Sequence, residues 1–109
     1  MTADYLAQFA DQNSLLPAIV QSVDTKEVLM LAWINKQALE NTLASKRATF
    51  WSRGRNELWV KGETSGNVQE VVAVKFDCDS DAFLFLVHNH GPACHTGSES
   101  CFYREVETQ

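Results

Sequence analysis

The hydrophobic and polar positions of this chain fall into short blocks, most of them of strand length. Leu16–Ser22 (LPAIVQS) is rich in apolar and β-branched residues and predicts a strand. The polar turn Asp24-Thr25-Lys26-Glu27 separates it from the near-continuous apolar run 28–33 (VLMLAW). That run reads as a buried strand pairing with the first in a hairpin. Asn35 is placed to cap a helix over Lys36–Ser45, with Leu39 and Leu43, four apart, expected to face the core together. Residues 48–52 and 58–61 predict two strands around a turn at Arg53-Gly54-Arg55-Asn56. Residues 68–76 alternate, 82–87 are strongly apolar, and 102–106 predict a last edge strand. Residues 2–9 predict a short, weak helix. Six or seven strands with one clear helix make an α+β fold: mostly antiparallel β-sheet with one or two short helices, a single small domain over residues 1–109.

Composition narrows the class without naming a function. Apolar content of 45% and charged content of 21% are ordinary globular values, and three Trp, two Tyr and six Phe can fill one core. The N-terminus has neither a basic region nor a long apolar stretch, and no apolar run approaches the ~18–20 residues that cross a bilayer. The expectation is a cytoplasmic protein without a membrane partner. In a reducing compartment thiols more often signal metal or catalysis than disulfides, and three cysteines cannot all pair within one chain. A net charge of −5 argues against nucleic acid as partner. Yet Lys46, Arg47, Arg53, Arg55 and Lys61, with Glu57 the one acid among them, make a segment that is locally +4. It reads as a solvated hairpin face or as a seat for a small phosphorylated ligand. The following loop, Gly62-Glu63-Thr64-Ser65-Gly66-Asn67, can offer backbone N–H groups and hydroxyls to an anion but matches no P-loop spacing.

Candidate chemistry is concentrated in residues 76–101, which hold every cysteine (Cys78, Cys94, Cys101), every histidine (His88, His90, His95) and the trio Asp77, Asp79 and Asp81. Thiolates are soft ligands and carboxylates hard ones, so two different metals can be held in one stretch. If 77–81 is extended, the aspartates project to one side and Cys78 to the other. The D-x-D-x-D pattern fails as an EF-hand, because Ala82 stands where glycine is required and His88 where the closing Glu belongs. Magnesium with retained waters suits the trio better than a calcium cage; the alternative is a solvated acidic turn. The cysteines are separated by fifteen and six residues, with no CxxC pair, which is a poor zinc ribbon. Three thiolates leave tetrahedral zinc one open position, the mark of a catalytic site. His95, beside Cys94, is a candidate for proton transfer or for a fourth ligand.

The runs LPAIVQ, VLMLAWIN, FWSRGR, LWVKGETSGN, FDCDSD and GPACHTGSESCF together resemble the phosphoribosyl-AMP cyclohydrolase family of histidine biosynthesis, across roughly residues 16–104. The resemblance implies that water adds to C6 of the adenine ring of 1-(5-phosphoribosyl)-AMP, after which the N1–C6 bond opens. It implies Zn2+, one per subunit, on Cys78, Cys94 and Cys101, and Mg2+ on Asp77, Asp79 and Asp81. It further implies a homodimer in which Cys78 reaches the zinc from the opposite subunit. N1 substitution makes the purine cationic and C6 electrophilic, so water activated by zinc suits the attack, with His95 as candidate acid or base. The substrate's two phosphates give the basic segment a purpose: Arg53, Arg55 and Lys61 are expected phosphate contacts, and Thr64, Ser65 and Gly66 loop donors. Gly54 departs from the family's usual serine, and His88 and His90 receive no family role. The chain stops at Gln109, so the pyrophosphohydrolase fused to this domain in many organisms is expected on a separate protein. A nucleobase deaminase would attack the same carbon, but its H-x-E and P-C-x-x-C signatures are missing. A zinc-stapled binding module is the non-enzymatic alternative.

Overall fold

The computed structural model describes residues 4–11 and 13–108. Strands β1 (Leu16–Ser22) and β2 (Val28–Ile34) form the expected antiparallel hairpin. Its turn is held by the Ser22 hydroxyl, which accepts the N–H groups of Asp24 and Thr25 at 3.2 and 3.1 Å. Helix α1 (Lys36–Ser45) begins where Asn35 Oδ1 accepts the Ala38 N–H at 2.8 Å, a side-chain cap on an otherwise orphaned donor. It ends at Lys46, which is left-handed and donates to the Thr42 carbonyl.

A second hairpin, β3 (Thr49–Ser52) and β4 (Glu57–Val60), turns through Arg53 to Asn56. Strands β5 (Gln69–Phe76) and β6 (Phe83–Asn89) pair antiparallel, and β6 also pairs in parallel with β1. The four-stranded sheet therefore runs β2-β1-β6-β5, antiparallel except at its centre. Residues before β3 lace the second hairpin to the first turn of β5: Ala48 N–H donates to the Gln69 carbonyl, Val71 N–H to that of Lys46, and Arg47 bridges Glu70. The core between sheet, helix and hairpin is built on Val20, Leu29, Ile34, Leu39, Phe50, Phe83 and Phe85, with Phe50 against Trp59 at 5.0 Å and Phe85 at 5.9 Å between ring centres.

Three expectations change. Leu43 does not share the core with Leu39; it is 41% exposed, and Thr42 takes the buried place. Thr42 Oγ1 donates to the Ala38 carbonyl and accepts the Thr49 N–H, so a hydroxyl there joins helix to hairpin as no leucine can. Residues 102–106 form no strand, and Val106 is 90% exposed. The free edge of β2 is met instead by Cys101, whose N–H donates to the Leu29 carbonyl at 2.7 Å, and by the Ser100 hydroxyl. The predicted N-terminal helix shrinks to one 3₁₀ turn, Asp4–Leu6; its first two residues lie outside the described residues.

Candidate metal and nucleotide site

The link between β5 and β6 is a tight turn, and it carries the acidic trio. Ser80 N–H donates to the Asp77 carbonyl, Asp77 N–H to that of Ala82, and Ser80 takes a left-handed φ of 64°. Asp77 Oδ1 accepts the N–H groups of Asp81 and Ala82 at 3.0 and 3.2 Å. The stretch is thus turned rather than extended, and it is the turn that gathers the carboxylates. Oxygens of Asp77, Asp79 and Asp81 lie within 4.8 Å of one another on an exposed surface. Hydrogen bonding to the Asp79 and Asp77 carboxyls, with their charge, pushes Asp81 up to about 6. For Asp77, desolvation works upward but is outweighed by hydrogen bonds from the side chain and backbone of Asp81, and its carboxyl falls below the usual value. Carboxylates crowded so that each makes the next harder to ionise fit a hard divalent cation, whose charge would offset theirs.

The cysteine loop is built differently. Ala93 N–H donates to the Glu99 carbonyl and Cys94 N–H to that of Ser98, so residues 93–99 close on themselves. Cys94 is buried and Cys101 exposed, and all three thiols are free. Thr96 Oγ1 donates to Cys94 Sγ at 3.0 Å, and this bond is the main reason that the Cys94 thiol lies below its ordinary range. The Cys101 thiol is pushed up, first by partial desolvation and then by the charge of the neighbouring Cys94. The Lys61 ammonium favours the thiolate at both. Two neighbouring sulfurs, one already inclined to ionise, beside a positive charge, fit a soft cation such as zinc.

Cys78 is not with them. Among the described residues the aspartate trio is the single group of three or more metal-type ligands in mutual reach. Cys78 sits exposed in the turn after edge strand β5, whereas Cys101 is bonded to the opposite edge strand, β2. His95 is exposed next to Cys94. His88 and His90 face carboxylates instead, with Nδ1 of His88 2.9 Å from Asp24 and Nε2 of His90 3.8 Å from Glu70.

The basic segment divides between two cavities. Arg53 stacks over the Trp33 ring at 4.7 Å and lines a cavity of about 520 Å³ with Asn13, Asn35, Trp51 and Asn56. Arg55, 3.5 Å from Glu57, lines a second of about 420 Å³ with Trp59, Thr64 and Ser65. The Gly66 N–H is bonded to the Gly62 carbonyl. A Cβ on Gly91 would meet the side chain of Asn67, so the loop bearing Thr64 and Ser65 packs against the root of the cysteine loop. Sequence reasoning did not single out Thr96 or Ser100. A hydroxyl two residues after one cysteine and another directly before the next was the available signal.

Taken together, the described residues form a small α+β domain that carries an exposed acidic trio, a pair of neighbouring cysteines and two arginine-lined cavities. The sequence profile of the phosphoribosyl-AMP cyclohydrolase family matches residues 30–103. The phosphoribosyl-AMP cyclohydrolase of Archaeoglobus fulgidus is 58% identical over 97 residues, 89% of this chain and 90% of that protein. That of Lactiplantibacillus plantarum is 54% identical over 101 residues, 93% of this chain and 94% of its own, and that of Hyphomonas neptunium 58% over 89% of this chain and 74% of its own. The chain belongs to the phosphoribosyl-AMP cyclohydrolase family. No helix among the described residues is long and apolar enough to cross a membrane.

Proposed function

We propose that the protein hydrolyses the N1–C6 bond of the adenine ring in 1-(5-phosphoribosyl)-AMP, in the cytoplasmic synthesis of histidine. Water adds to C6, its proton is taken up, and the C6–N1 bond breaks with N1 keeping the electron pair. Cys94 and Cys101, with Cys78 of a second copy, would hold zinc, and Asp77, Asp79 and Asp81 magnesium. When bound, the zinc supplies Lewis-acid activation of water at neutral pH, and the magnesium supplies positive charge for an anionic substrate. The chain's own groups do the rest. Thr96 and Lys61 hold Cys94 toward its ionised form. His95, exposed beside Cys94, takes or returns the proton as the ring opens. Arg53 and Arg55, each in its own cavity, suit the two phosphates of the substrate, with Thr64 and Ser65 beside Arg55.

One observation carries this reading beyond the family: Cys94 and Cys101 are near enough to shift each other's ionisation, while Cys78 stands across the sheet. A two-thiol half-site calls for a third ligand from elsewhere, which supports a homodimer sharing its zinc. The test is an absorbance assay with 1-(5-phosphoribosyl)-AMP, before and after stripping the metal with a chelator. Turnover that vanishes and returns with zinc supports the reading, and full turnover by zinc-free protein ends it.

A further inference from the structure

The cysteine loop is tied down at two places. One is the edge of β2, through Cys101 and Ser100. The other is a single side chain at the last residue of β6. Asn89 Nδ2 donates to the Gly91 carbonyl at 2.6 Å and to Glu99 Oε1 at 3.1 Å. Gly91 opens the loop, and Glu99 stands two residues before Cys101, so one amide joins the two arms. Farther along, the arms are joined by backbone bonds that present Cys94. Gly91 has a φ of +111° and Asn67 against its Cα, so the residue that Asn89 grips is fixed from the other side as well.

The other half of the Asn89 amide points to the same role. Its Oδ1 is shut off from solvent and has no hydrogen-bond partner among the described residues. An unpaired buried acceptor is unfavourable, so this amide is not what packing alone would select. Nor can the amide be turned over, since its carbonyl would then face two oxygen acceptors. Gln69, its fully buried cross-strand partner, also has an unpaired oxygen, so the pair leaves two acceptors unmet at the base of the loop. What explains an amide here is what its N–H groups hold.

We propose that Asn89 is a positioning residue for the Cys94–Cys101 thiol pair, clasping the arms of the loop through Gly91 and Glu99; its zinc readout rests on the metal reading above. In Asn89→Ala, zinc competed against a chromophoric chelator binds about tenfold more weakly. In the metal-free protein the amides of Ala93 and Cys94 exchange hydrogen faster. The melting temperature moves little, because loss of the two donor bonds is offset by removal of the unpaired acceptor. Asn89→Asp, which sets a carboxylate against Glu99, loses more, and Asn89→Gln, which keeps a donor, recovers part. Unchanged zinc affinity and unchanged amide exchange in Asn89→Ala overturn the proposal, as does a loss that only tracks a fall in melting temperature. If the parent protein takes up no zinc, the metal reading fails, and amide exchange alone still decides for or against the clasp.

Discussion

The acidic turn and the cysteine loop both carry metal-type side chains, but among the described residues only the first brings three of them within reach of one another. Asp77, Asp79 and Asp81 lie within five residues, and the turn that gathers them is bonded to its own backbone. The Cys101 end of the loop is anchored to Val28 and Leu29, far off in sequence, Cys94 is held within the loop itself, and among the described residues no third ligand lies within reach of the pair. The difference teaches that the acidic trio is assembled by local sequence, while the Cys94–Cys101 pair is set by tertiary structure. The largest expected effect separates the two directly. Cys94→Ser or Cys101→Ser should lower kcat by about 10³-fold or more, roughly 4 kcal/mol of barrier, with loss of zinc by metal analysis and magnesium binding retained. Asp79→Asn should give the converse: turnover down roughly 100-fold, zinc content unchanged, and no rescue by added magnesium. Loss of zinc in Asp79→Asn would show that the sites are not independent.

A smaller effect is expected at the anchor. Ser100 is buried, and its hydroxyl donates to the Val28 carbonyl at 2.7 Å while accepting the Phe102 N–H. Ser100→Ala should destabilise by about 1–2 kcal/mol in urea unfolding and weaken zinc more than magnesium. The smallest effect lies away from both sites. The hydrogen bond to Asp24 raises the pKa of His88 above its ordinary value. The raised folded-state pKa makes the pair stabilising below about pH 6.5, the unfolded value, and that contribution is lost as pH rises through the folded-state value. His88→Gln should flatten the melting-temperature profile across that window while leaving turnover at fixed pH unchanged.

What could be read from the sequence follows the same division. Strand β1, the Asn35 cap and helix α1 fell where apolar blocks and a capping residue put them, because their signals are local. The acidic trio was legible for the same reason, though through a turn and not an extended strand. Leu43 was misplaced because spacing alone cannot show that Thr42 is needed to bond Thr49 across the helix–hairpin contact. Residues 102–106 hold the aromatic and β-branched residues of a strand, but such residues do not supply a partner, and the β2 edge is already met by Ser100 and Cys101. The sequence likewise ran Arg53 and Arg55 together, although the turn between β3 and β4 sends them to separate cavities. No pattern in the chain places Cys78 across the sheet from the other thiols; that depends on the order β2-β1-β6-β5.

The most direct test mixes two inactive proteins, Cys78→Ser and the double variant Cys94→Ser/Cys101→Ser, after unfolding and joint refolding. If each soft site draws Cys78 from one copy and the other two thiols from its partner, a mixed dimer holds one intact site. Random pairing should then restore roughly a quarter of the original turnover, with zinc to match. Refolded mixtures that form dimers yet stay as inactive and zinc-free as either variant alone would contradict the shared site.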